Sequence, residues 1–192
     1  GAWKAFQSML ETSTDTTTNT SHVIDLPAGI VSGDLLLLAH YGSATDSSPN
    51  TAITGWTKLV DLDVTNAVGH LAIFYKVADG AEGATATATT DLSEDSAGCT
   101  YRITNWDSTS TPAYNAGGVK GTSTTPTLGE VIPSWSLEDT TFIVIGGADS
   151  TNGNFSGYPT NYSFNQIEAV TGTASGGACA MATYPAAAIS DD

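Results

Sequence analysis

Apolar and polar residues alternate with a period of two along most of the chain. Turn-forming residues break the alternation about every 8 to 15 positions. This pattern predicts an all-β fold, an antiparallel β-sandwich in a single domain. In 21–26, His22, Ile24 and Leu26 oppose Val23 and Asp25, and the strand ends at Pro27-Ala28-Gly29. In 34–41 the run Leu35-Leu36-Leu37-Leu38-Ala39 suits a strand covered on both faces, and it is short for a helix and flanked by Gly33 and Gly42. Residues 54–60 read as a turn and strand with Trp56 turned inward, and 71–77 as the central strand, closed by Asp79-Gly80. Alternating Ala and Thr predict a strand over 84–89, and a separate one follows over 97–106 with Cys99, Tyr101 and Ile103 on one face. A buried strand is expected over 140–146, and the last two over 165–170 and 178–184. Residues 1–20 are expected as an N-terminal arm or first strand ahead of the sandwich over 21–192. A long loop is expected over about 107–127, with a short edge strand near 118–122. No helix of normal length and no repeat of 20 to 50 residues is predicted.

Composition narrows the functional classes. The chain has 192 residues, 40% of them hydrophobic, so it is long enough for a sizeable core and too apolar for a disordered chain. Twenty acids face five bases, Lys4, Lys58, Lys76, Arg102 and Lys120, for a net charge of -15. Tracking a phosphate backbone needs clustered cations, so neither nucleic acid nor an anionic membrane is an expected partner. The acids come in ones and twos and read as a solvated anionic surface. The N-terminal residues show no charged leader followed by an apolar run, so no secretory signal is expected. Cys99 and Cys179 stand in apolar alternating contexts and read as small buried side chains before a bridge or a metal pair.

The chemistry-bearing residues give mostly negatives. His22, His40 and His70 fall in different strands, lack the helical spacing of a zinc site, and read as ordinary strand residues. Neither a nucleophile elbow nor a phosphate-binding loop occurs. The acid pairs Glu94-Asp95, Glu138-Asp139 and Asp191-Asp192 are placed at turns facing water, so no catalytic residue, no metal centre, no cofactor and no enzyme activity is expected. Asp61-Leu62-Asp63-Val64-Thr65-Asn66 lacks the Gly and the bidentate Glu of a calcium loop and reads as a turn, able at most to bind calcium weakly. The aromatic and polar stretch carrying Phe155, Tyr158, Tyr162 and Phe164 is the best candidate contact for a glycan or partner, with anchoring to the core as its plainer role. Trp3, Phe6 and Leu10 are the candidate subunit contacts. Arg102 lies inside a strand and calls for a carboxylate partner, Asp34 or Glu82, as a structural ion pair.

A set of phrases spread over about residues 20 to 184 carries a family resemblance. Leu26-Pro27-Ala28-Gly29, Gly33-Asp34-Leu35-Leu36-Leu37, Gly55-Trp56-Thr57-Lys58-Leu59, Phe74-Tyr75-Lys76-Val77-Ala78-Asp79-Gly80 and Tyr101-Arg102-Ile103 resemble a family of small all-β proteins of tailed, often marine, bacteriophages. Pro133-Ser134-Trp135 and Tyr158-Pro159-Thr160-Asn161-Tyr162 resemble further positions. The resemblance implies a jelly-roll-like sandwich carried on the virion and supplies no catalytic residue. The expected role is a capsid decoration or cement protein that contacts copies of itself and other virion proteins; the alternative is a tail or fibre module binding host-surface glycan. Family members usually continue past the equivalent of 189–192 into a further strand. A sheet edge left open there is expected to be covered by a neighbouring subunit or by residues 3–10.

Overall fold

The computed structural model of the chain describes residues 8–45, 49–63, 69–108, 112, 140–149, 155–173 and 176–186. Among them there is no helix, and every strand pairing is antiparallel. The strands are β1 (Ser8–Asp25), β2 (Leu35–Gly42), β3 (Ala52–Ile53), β4 (Thr57–Asp63), β5 (His70–Val77), β6 (Thr85–Ile103), β7 (Thr140–Asp149), β8 (Phe164–Val170) and β9 (Gly177–Ala186). A six-stranded sheet runs β1-β6-β2-β5-β4, with β3 also on β6, and a three-stranded sheet runs β7-β9-β8.

β2 explains its own apolar run. It pairs with β5 on one side and β6 on the other, and all eight of its residues are buried. Leu35, Leu37, Ala39 and Tyr41 enter one core with Cys99, Tyr101, Cys179 and Met181, so that core draws on both sheets. The ring of Tyr41 lies where Gly147 of β7 and Gly177 of β9 carry no side chain; a Cβ on Gly147 would sit 2.6 Å from Tyr41 Cδ2. Leu38 enters a second core with Ile24, Leu26, Ile53, Phe74 and Ala88.

The second core exists because the long β1–β6 ribbon doubles over. A straight strand would hold residues 86 and 98 about 40 Å apart. Yet Ile24, paired with Ala86, brings its Cγ2 to 3.1 Å from where a Cβ on Gly98 would stand. Thr100 Oγ1 donates to the Asp25 carbonyl at 2.9 Å, and the Asp25 amide donates to Ser13 Oγ at 2.7 Å, so the two halves of each strand face each other.

Several expectations change. Residues 84–89 and 97–106 were expected as two strands, but β6 is continuous from Thr85 to Ile103, because its middle stays paired, irregularly, with β1. β1 starts at Ser8 and runs through residue 20, and β3 was not foreseen. β7 is half-buried instead of buried, since it forms an edge of the smaller sheet. Asp61 and Asp63, expected in a turn, belong to β4. The described part of the N-terminal segment, 8–10, extends the six-stranded sheet by pairing with β6, and Leu10 packs against the first core. Trp3, Phe6, the expected edge strand near 118–122 and most of the expected 107–127 loop lie outside the described residues.

Candidate functional site

The second core is apolar at one end and ionisable at the other. Along β2 its inward positions read Leu36, Leu38, His40 and Gly42; along β5 they read Phe74, Ala72 and His70. At the polar end His22 arrives from β1, Glu94 from β6 and Asp61 from β4. The ring centroids of His22 and His40 are 5.3 Å apart, and those of His40 and His70 6.1 Å. His22 and His40 are 0% exposed and Glu94 is 2% exposed. The three residues read as ordinary strand histidines are thus one buried cluster, and Glu94-Asp95, placed at a solvent-facing turn, is buried inside a strand.

A register shift aims these side chains inward. Early in β1, even-numbered residues lie beside odd-numbered β6 residues, as Leu10 beside Tyr101, and face the first core. Irregularities between Asp15 and Asn19 and between Asn19 and Ser21 change the pairing to His22 with Ala88 and Ile24 with Ala86. A net slip by an odd number exchanges the two faces of a strand, so His22 and Ile24 turn into the second core. Gly42 provides the room for Glu94: a Cβ there would overlap the Glu94 carboxylate.

Electrostatics divide the cluster. His70 Nε2 lies 2.9 and 3.0 Å from the two Glu94 oxygens, and Nδ1 lies 3.4 Å from Asp61 Oδ1 and from Thr51 Oγ1. Burial pushes the His70 pKa down, but the facing Asp61 and Glu94 carboxylates raise it to about 9, so the ring is an imidazolium at neutral pH. Glu94 Oε2 also accepts from the Ala44 amide at 2.9 Å. Burial raises the Asp61 pKa, and His70, the Thr51 amide at 2.7 Å and Lys58 at 3.3 Å bring it below its usual value. His22 Nδ1 faces Asp15 Oδ2 at 3.3 Å and Nε2 faces Thr90 Oγ1 at 3.4 Å.

His40 differs from its neighbours. Burial first, and the two neighbouring histidines next, push its pKa down to about 3, so it is neutral. Among the described residues, neither of its ring nitrogens has a hydrogen-bond partner. A buried polar group left in that state costs about 1–3 kcal/mol. One nitrogen of His22, one of His40 and one oxygen of Glu94 lie within 4.8 Å of one another, the arrangement that could hold a metal ion. Position in sequence gives no hint of this convergence; the one available signal is that each of the three histidines falls within an alternating apolar stretch.

The other candidate residues lie elsewhere. Arg102 Nε donates to Asp34 Oδ2 at 2.6 Å, with Asp34 buried. Glu82, the other carboxylate considered for Arg102, pairs instead with Lys76 at 3.1 Å. Phe155, Tyr158 and Tyr162 are half-buried on the smaller sheet: a Cβ on Gly146 would lie 3.0 Å from the Phe155 ring, the Tyr158 hydroxyl donates to the Ile167 carbonyl at 3.2 Å, and Tyr162 packs 5.8 Å from Tyr184. Phe164 is 55% exposed. Cys99 and Cys179 are free and buried, the Cys99 thiol donating to the Cys179 carbonyl at 3.2 Å. Asp61, the first carboxylate considered for weak calcium, is turned toward His70 and Lys58. Compared with family models, curated proteins and solved structures, the chain matches none.

Proposed function

We propose that this chain is a non-enzymatic structural protein of a bacteriophage virion, a capsid decoration or cement protein built as a jelly-roll-like sandwich. The observation that carries the reading is where the ionisable groups are. Catalysis on a polymer or small substrate needs acids and bases that reach it. Here His22, His40, His70 and Glu94 converge, but each is at most 2% exposed. Their convergence braces strands from within and offers no solvent-facing surface to a substrate. Outside the core, an acidic β exterior favours solubility and mutual repulsion until assembly. The sequence phrases that resemble those of phage structural proteins support the same role, with other virion proteins and copies of itself as partners.

The glycan-binding alternative draws on Phe164 alone among the four aromatics singled out, because Phe155, Tyr158 and Tyr162 are engaged with their own sheet. Electron microscopy of the particle carrying this protein tests the proposal. Density on three-fold or six-fold positions of the head is the expected result. Density at a tail tip, together with glycan-array binding lost in Phe164→Ala, favours adhesion, and absence from purified particles or turnover of a surface polysaccharide overturns both.

A further inference from the structure

We propose that His22, His40 and Glu94 bind one divalent transition-metal ion of the zinc class, held between β1, β2 and β6 at the polar end of the second core. The donor set is two imidazoles and a carboxylate, the combination that suits zinc and its first-row neighbours and not calcium or magnesium, which take oxygen. The three donor atoms already lie within 4.8 Å of one another, each on a different strand. Around a tetrahedral ion at about 2.1 Å, ligand atoms stand about 3.4 Å apart, so side-chain rotations that close the cluster by up to about 1.4 Å bring these three donors to tetrahedral spacing, with the fourth position taken by an enclosed water or hydroxide.

Three further features favour a cation. His40 is wholly buried, aims into the cluster, and has both ring nitrogens without a partner among the described residues. A metal bond gives a use to a lone pair that the protein otherwise leaves unsatisfied. The flanking groups are in place to orient ligands: Asp15 faces His22 Nδ1, and His70 and the Ala44 amide hold the Glu94 carboxylate. Outer-shell partners of this kind fix ligand geometry. Charge agrees as well. Three carboxylates, Asp15, Asp61 and Glu94, lie against the histidines and one lysine, Lys58, lies against Asp61, an anionic surround suited to a divalent ion. With ligands on both strands of the doubled ribbon and on β2, the ion would fasten the fold-over. Because the site is sealed, loading accompanies folding, as in other buried structural sites.

The test uses the full chain, unfolded and refolded with Zn2+, Co2+ or EDTA. The expected result is one tightly held ion per chain by elemental analysis and a visible absorption spectrum of tetrahedral Co2+. Melting should rise by roughly 5–10 °C when free zinc exceeds its Kd a hundredfold. His40→Leu, which removes the unsatisfied imidazole, should fold at least as well without metal, shown by far-ultraviolet circular dichroism, and lose both the ion and the shift. If that variant fails to fold, X-ray absorption on the zinc-loaded wild type should count two imidazole ligands. Less than a tenth of an ion per chain after refolding with each metal overturns the proposal. So does an equal melting shift in folded His40→Leu, or an all-oxygen coordination shell.

Discussion

Single side chains hold the turns of this molecule to its sheets. Arg102 and Asp34 are 15% and 7% exposed, and Asp34 Oδ2 also accepts from the Val31 amide at 2.9 Å. Removing one member of such a pair strands the other's charge, so Arg102→Ala should lose about 3–5 kcal/mol in urea denaturation. Glu82 does the same for the Asp79-Gly80 turn. Burial alone would raise its pKa, but the Asp79 amide at 2.7 Å, Lys76 and the Gly80 amide at 3.0 Å lower it to about 2. A carboxyl whose folded pKa is depressed stabilises the fold above its ordinary value of 4.5, and that contribution is lost as pH falls from 4.5 toward 2. Glu82→Gln should therefore cost about 1.5–3 kcal/mol at pH 7 and flatten this stretch of the stability-against-pH curve. Gly42→Ala places a methyl on the Glu94 carboxylate, and about 1–3 kcal/mol of overpacking should appear as a lower denaturation midpoint. The Arg102–Asp34 pair was legible because a guanidinium inside an alternating strand demands an anion. The burial of Glu94 was not, since it sits among Asp91, Ser93, Asp95 and Ser96, a composition that reads as a turn.

Short strands bounded by turn residues were legible: 34–41, 71–77 and 165–170 each fall within one or two residues of β2, β5 and β8. The errors cluster where pairing partners, not side-chain alternation, maintain the strand. β6 crosses 90–96 because β1 stays alongside it, and the shift between Asp15 and Ser21 sets which face of β1 turns inward. Deleting Thr17, an exposed residue inside this irregular stretch, tests that dependence. A one-residue change in register would send His22 and Ile24 to the outside, and more than about 3 kcal/mol of stability should go with them. Near-ultraviolet circular dichroism and urea titration would read the loss; a variant as stable as the parent would show that the slip does not govern the inner face.

Across the molecule, the two cores share β2, and the first is closed to solvent around Cys99 and Cys179, each 0% exposed. Both thiols should be unreactive toward an aromatic disulfide reagent in the folded protein and both should react in denaturant; rapid reaction without denaturant would contradict the buried first core. Composition and alternation are properties of neighbouring residues, so they were enough to establish an all-β chain, a doubly covered β2 and small buried cysteines. The meeting of His22, His40, His70 and Glu94 depends on a doubled ribbon, a slipped register and a glycine opposite a carboxylate. Those features join residues as far apart as 22 and 94, and a pattern read along the chain carries no information about which distant positions will face each other once the strands curl.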